Sequence, residues 1–315
     1  MGNTVVIGTV YVDLKGFASR KYDPYGRNVG DVKIFHGGVG RNVVENFANV
    51  GMPVSFVSML EDSAFGRDVE RHLTISGADL THMIKAPKNG IGMWMVILDE
   101  HGDQAGSISR LPDMTCLEAH LKANGDRIIS EADAVVLEVD LNEDIAEHVV
   151  KLAKKYAKPI YAIVSSLIVA KPRKDLIRQM DCFICNDIEA GKFFDHPLSH
   201  FTVEEMIRYL PQAVRQEGLR SMVVTMGARG AVYYDGETNA AGFCPPCPTN
   251  VVDTSGAGDA FFSGTVMALI RGKQLCDAVG YGARLASMTI SREETSCPVD
   301  REFFEREIYS SRAPF

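Results

Sequence analysis

The sequence predicts an α/β protein built as a doubly wound, mostly parallel sheet with helices on both faces and a small β-lid. Three observations carry this. Short apolar runs alternate with segments of helical spacing along most of the 315 residues, the pattern of strands joined by crossover helices. Runs such as Ala134-Val135-Val136-Leu137 are apolar without interruption, which fits strands buried on both faces. Two stretches, about 14–36 and 90–110, break the alternation and together suit a lid over the carboxyl edge of the sheet, where ligands of such sheets bind.

Taken in order, Val5–Val12 reads as the opening strand with Asp13 at its end, and Asn42–Val50 as the first helix. The strand Val54–Met59 and helix Phe65–Ile75 follow. Met93–Leu98 starts a hairpin that turns around Asp99-Glu100-His101-Gly102-Asp103. Ala134–Val139, Glu143–Tyr156, Pro159–Val164 and Cys182–Cys185 resume the alternation, and Val203–Gln216 leads to strands Met222–Met226 and Ala231–Tyr234. Two helices close the chain, Ala257–Ile270 and Leu275–Ile290, before a frayed tail from Ser310 to Phe315. No internal repeat or low-complexity tract divides the 315 residues, which suffice for one large α/β domain or two small ones; a single domain over residues 1–315 is the expectation.

Composition narrows the function. A net charge of −8 argues against a nucleic-acid partner. No apolar run is long enough to span a bilayer, and the N-terminus has no basic leader. The seven scattered cysteines suit reduced thiols in the cytoplasm. Two CxxC pairs, Cys182/Cys185 and Cys244/Cys247, have zinc-ligand spacing. However, a strand would point Cys182 and Cys185 to opposite faces, and Pro245-Pro246 makes the second pair a loop.

The segment with most chemical content is Asp253-Thr254-Ser255-Gly256-Ala257-Gly258-Asp259. Glycines ahead of a helix let the amides of Gly256, Ala257 and Gly258 face one point at the positive end of the helix dipole, an anion site. A carboxylate there, Asp259, suits a base that takes the proton of a hydroxyl attacking phosphorus. It would also suit a plain first-turn acid on a helix. A second glycine loop, Gly37-Gly38-Val39-Gly40-Arg41-Asn42, precedes the first helix, with Asn42 placed to cap it or bind a ligand hydroxyl. No G-x-x-x-x-G-K-[ST] occurs, and Phe261 stands where a dinucleotide fingerprint needs its third glycine.

Together, GGVGRNVVENFANVG (37–51) and DTSGAGDAFFSG (253–264) resemble the two signatures of the ribokinase or PfkB family of carbohydrate kinases. Asn186-Asp187-Ile188-Glu189 resembles the family's N-x-x-E motif, and Thr225-Met226-Gly227-Ala228-Arg229-Gly230 its nucleotide loop. The resemblance implies a ribokinase-like fold and ATP-dependent phosphorylation of an alcohol. It makes Asp259 the base beside the Gly256–Gly258 amides. Asn186 and Glu189 would hold Mg²⁺ through water, and Thr225, Gly227 and Gly230 would line the nucleotide; without it, Asn186 and Glu189 read as a capping box. Asp13, the amides around Gly38 and Asn42 suit the hydroxyls of a sugar ring, while Asp13 reads equally well as a solvated strand end. The resemblance also adds K⁺ beside the anion site, with Asp253 matching the first part of that site and Ser291, Glu294 and Ser296 lying where the second part belongs.

Within the family, Lys33-Ile34-Phe35-His36, Arg41, Asp113-Met114 and Asp140-Leu141-Asn142 resemble the pseudouridine kinase subgroup. This implies pseudouridine as acceptor, with Arg41, Asp113, Asp140 and Asn142 toward its base. Ile163-Val164-Ser165-Ser166 departs from that subgroup, which has an acidic residue and a proline before its serine. Lys171 reads as a solvated lysine at a helix start. The alternatives are a kinase for ribose, fructose or a sugar acid, and a non-catalytic nucleotide-binding regulator. Lid sheets with open edges pair readily, which suits a homodimer through the lid.

Overall fold

The structure, a computed structural model, describes residues 3–164, 173–303 and 306. Ser165, Ser166, Lys171 and the tail from Ser310, singled out above, lie outside the described residues.

Nine strands form the main sheet: β1 (Thr4–Ile7), β4 (Val54–Glu61), β5 (Met83–Ala86), β8 (Ala134–Glu138), β9 (Ile160–Ile163), β10 (Cys182–Asn186), β11 (Ser221–Thr225), β12 (Ala231–Asp235) and β13 (Ala240–Cys244). Their order is β13-β12-β11-β10-β9-β8-β1-β4-β5, parallel except that β12 runs antiparallel to both of its neighbours, β11 and β13, at one edge. Successive strands move outward in one direction from β1 and in the other from β8. The order therefore reverses between them, and a crevice opens at their carboxyl ends.

Side-chain alternation shows why helices cover both faces. Val6, Val136, Cys182 and Ile184 pack with helices α1 (Val39–Asn49), α8 (Ala257–Ile270) and α9 (Leu275–Ile290). Val5, Ile7, Val135 and Leu137 pack on the opposite face with α3 (Thr115–Glu131) and α4 (Glu143–Lys155). Phe183 and Cys185 pack with α6 (Asp187–Phe194) and α7 (Val203–Glu217). Thus Cys182 and Cys185 do face opposite ways, each inside a core. Helix α2 (Ala64–Ser76) and the short α5 (Lys174–Ile177) complete the nine helices of the described residues.

The lid is a four-stranded sheet ordered β3-β2-β6-β7, made of β2 (Tyr11–Ala18), β3 (Gly30–Gly37), β6 (Gly92–Leu98) and β7 (Gln104–Arg110). Both expected segments contribute to it. The apolar run Val5–Val12 is not one strand, however. The chain leaves β1 at Gly8, where α1 packs so closely that a Cβ would lie 2.7 Å from the Gly40 Cα, and enters the lid at Tyr11. Asp13 is therefore a lid residue, paired with Phe35 and Trp94, and does not end a core strand.

The sequence reading had no helix between residues 110 and 134. There α3 runs for 17 residues and buries Leu117, Leu121, Gly125, Ile128 and Ile129 along one stripe. Gly125 sits where α3 meets α4, and a Cβ there would lie 2.8 Å from Leu152 Cδ1. Asn124-Gly125, a turn signal in isolation, is here a close helix contact.

Candidate active site

Two cavities open at the carboxyl edge of the sheet, and the loop before α8 lies between them. Gly256 caps α8 with φ 76°, and a Cβ on it would fall 2.0 Å from the Thr295 carbonyl oxygen. Only glycine fits that conformation and that approach. The Ala257 amide donates to Thr254 O at 3.2 Å, closing a turn. Of the three amides expected to face an anion, Ala257's is thus already engaged. Gly258 is exposed, with open space where its side chain would be.

Asp259 follows in the first helical turn, partly buried. Asn42 Nδ2 donates to its Oδ2 at 2.6 Å. Burial pushes its carboxyl up to about 6. The Asn42 bond and the Arg41 charge pull it down, and Glu189 raises it further. Asn42 does not cap α1, which begins at Val39 behind Gly38 (φ 97°). Its Oδ1 accepts from Thr295 Oγ1 at 3.2 Å, so the amide is locked with its donor side toward Asp259.

The larger cavity, about 920 Å³, lies under the lid at the β1/β8 crevice. Asp13, Gly38, Asn42, Asp140 and Asn142, all expected at the acceptor, line it. Asn142 also caps α4 by accepting from the Ile145 amide and donates to Glu118, a capping role the sequence reading did not give it. Burial raises Asp13, against the nearby Lys15 and Arg41 charges. Trp94, Leu111, Pro112 and Met114 add an apolar wall.

Two expected acceptor residues are elsewhere. Arg41 is buried, and its guanidinium donates to the Glu45 carboxylate, His36 O and Thr295 Oγ1 (2.8 Å). Burial alone would raise Glu45, but Arg41 and His72 bring it down to about 2. This cluster lines a separate cavity behind α1. Asp113 is exposed and accepts from the Thr115 amide (3.1 Å) and Oγ1 (2.7 Å) at the start of α3.

The smaller cavity, about 490 Å³, is lined by Thr225, Gly227 and Gly230, as expected, and by Thr254, Ala257 and Gly258 of the loop. Phe261 and the α9 residues Ala283, Ala286 and Ile290 form its apolar side, with Ser287 of the same helix beside them. Gly282, by contrast, packs against Phe261 and Thr265 of α8.

Asn186 ends β10 directly beside Thr225. Its Oδ1 accepts from the Glu189 amide at 2.8 Å, and Glu189 Oε2 accepts from the Asn186 amide at 2.9 Å, a complete capping box. Burial raises Glu189, with Asp140 adding to the shift. An amide and a carboxylate offering few oxygens suit magnesium, which keeps most of its water. Asp253 accepts from the Ser255 amide at 2.8 Å and lies 3.9 Å from Lys15 Nζ. Ser291 donates to Met288 O, and Glu294 accepts from Arg292.

Sequence reasoning missed Glu138, Lys15 and Trp94. Glu138 is buried at the end of β8 and lines the large cavity. It accepts from Thr9 N (2.7 Å), Thr9 Oγ1 (2.8 Å) and Gly40 N (3.2 Å). Burial outweighs these donors and pushes its carboxyl up to about 7. A lone glutamate in Val136-Leu137-Glu138-Val139 was the one available signal.

Comparison with known proteins agrees with this geometry. A family model described as pfkB family carbohydrate kinase matches residues 1–301. The chain is 33% identical over 294 residues to guanosine-inosine kinase of Exiguobacterium acetylicum, covering 93% of this chain and 96% of that protein. It is 24% identical to pseudouridine kinase of Escherichia coli, covering 93% and 92%. The ribokinase structure of Arabidopsis thaliana, complexed with ribose and ATP, superposes with a TM-score of 0.81 at 20% identity over 96% of this chain and 97% of that one.

Proposed function

Since the chain belongs to the pfkB family of carbohydrate kinases and is an ATP-dependent kinase, we propose that it phosphorylates the 5′-hydroxyl of a nucleoside. The carrying observation is the pair of cavities meeting at the Asp259 loop, the larger having a polar floor and an apolar wall. ATP occupies the smaller cavity, with adenine against Phe261 and α9 and its phosphates over the loop. The acceptor's ribose lies on Asp13, Gly38 and Asn42, and its base extends along Trp94 toward Asp140 and Asn142.

Asn42 holds the Asp259 carboxylate still, and burial keeps it basic enough to accept the hydroxyl proton. The amide of Gly258 and the dipole of α8 offset charge on the transferring oxygens. Asn186 and Glu189 hold magnesium, which when bound neutralises phosphate charge. A K⁺ requirement, with Asp253 beside it, belongs to the same proposal and is tested by exchanging sodium for potassium.

Asp140 favours a base with adjacent donors. Guanine presents N1–H and N2–H₂ side by side to a carboxylate, whereas each N–H of pseudouridine's base has a carbonyl next to it. This supports guanosine ahead of pseudouridine, the acceptor the sequence suggested; inosine, which lacks the 2-amino group, enters through the 33% relative alone. ADP release is measured with guanosine, inosine, pseudouridine, uridine, ribose and fructose. A preference for a free sugar overturns the nucleoside reading, and tight ATP binding with no turnover makes the chain a regulator.

A homodimer through the lid is part of the proposal. On the lid face away from the cavity, Ile34, Leu14, Met95 and Ile108 are cross-strand neighbours in one row. Ile34, Met95 and Ile108 are 54%, 44% and 67% exposed. Ile34→Glu should leave a monomer by light scattering; a wild-type monomer overturns the reading. Among the described residues no helix is long and apolar enough to cross a membrane. The seven free thiols suit a cytoplasmic location.

A further inference from the structure

The cavity under the lid is acidic. Asp13, Glu138 and Asp140 line it, Asp259 stands beside it, and Lys15 is the one cation among its described lining residues. A phosphoryl group, itself anionic, has to reach the acceptor at this border. Lys15 comes from lid strand β2, and its side chain is 14% exposed. Its ammonium lies 4.8 Å from the centroid of the Phe35 ring, which steers it. It donates to Ser255 Oγ at 3.3 Å and sits 3.9 Å from Asp253 Oδ2. Ser255 immediately precedes Gly256, the cap of α8. The charge is thus held at the seam between the two cavities, beside the loop that leads into the cap of α8.

We propose that Lys15 is a further catalytic residue: the lid-borne ammonium contacts the γ-phosphoryl group of ATP and stays with it as it moves to the acceptor. In that step the O5′–P bond forms and the P–O bond to the β-phosphate breaks. The hydroxyl proton goes to Asp259, and the electron pair of the broken bond leaves on ADP. Lys15 takes no proton; it supplies positive charge to oxygens that gain negative charge. A lysine serves as a point charge here, needing no fixed fork geometry. The same contact ties the lid to the loop, so a seated acceptor and an aligned phosphoryl group share one side chain. The inference rests on the kinase activity and not on which acceptor is correct.

The test separates the two. Lys15→Met and Lys15→Arg are compared with the wild type by binding of ADP and of the non-transferable analogue AMP-PNP, which differ by the γ-phosphoryl group and need no acceptor. Wild type should prefer AMP-PNP, Lys15→Met should lose about tenfold of that preference, and Lys15→Arg should regain most of it, in line with a charged hydrogen bond. With whichever acceptor turns over, Lys15→Met should lower kcat about ten- to a hundredfold at little cost in acceptor KM. An unchanged ADP/AMP-PNP ratio, with any loss confined to acceptor KM, would make Lys15 a lid tether and overturn the proposal. If no acceptor is phosphorylated, the nucleoside reading fails, while the binding ratio still decides the role of Lys15. Thermal midpoints of the variants within a degree or two of wild type exclude misfolding.

Discussion

Replacing Asp259 by asparagine should lower activity and raise stability together. The carboxyl rises from 3.8 to about 6 because it is buried, despite the Asn42 bond and the Arg41 charge. The folded state therefore holds its proton more tightly than the unfolded chain. Stability falls as pH rises between roughly 4 and 6, the penalty is complete above 6, and it disappears below 4 where both states are protonated. The shift corresponds to about 3 kcal/mol at pH 8; partial solvation of the side chain reduces this to about 1–2 kcal/mol. Asparagine keeps an oxygen for Asn42 Nδ2 and carries no charge, so it should recover most of that amount. Loss of the base should cut kcat by about 10²–10⁴, with ATP affinity retained. Denaturant melts at pH 8 and pH 4 and single-turnover ADP release are the assays. Turnover within tenfold of wild type, or a stability gain equal at both pH values, refutes the reasoning.

Three further outcomes follow from the geometry. Gly256→Ala forces a side chain into the Thr295 carbonyl at φ 76°, so it should displace the loop and cost kcat about a hundredfold, read by steady-state kinetics. Arg41→Met leaves Glu45 buried with only His72 for charge compensation; it should cost about 3–5 kcal/mol in urea unfolding while acceptor KM stays near wild type. Ala286→Phe fills the nucleotide cavity and should raise KM for ATP about ten- to a hundredfold without moving that for the acceptor, checked by varying each substrate in turn.

The site was partly legible because its motifs are local. Gly256, Asp259, Asn186 and Glu189 stand within short loops that meet helix starts, and the capping box of Asn186 and Glu189 closes within four residues, although Asp259 finds its partner in Asn42 and Gly256 its close contact in Thr295. The bounds of α8 and α9 were readable in full, since a glycine loop begins the first and Arg271-Gly272 separates them. Arg41 misled for the same reason. It sits in the glycine signature, but which face of α1 goes inward depends on α8, and that packing turns the side chain to Glu45. Asp13 misled because an apolar run records burial and not the sheet to which a strand belongs.

Residue order by itself determined the alternation of strand and helix, the two glycine loops, and therefore the fold class and the family chemistry, because each depends on spacings shorter than one element. Only the tertiary structure decided the acceptor cavity. Glu138 meets Thr9 and Gly40 across 129 and 98 residues, and Lys15 meets Ser255 across 240. Such contacts arise when two sheets and a helix start converge on one crevice, and no periodicity along the chain encodes which side chains will face each other there.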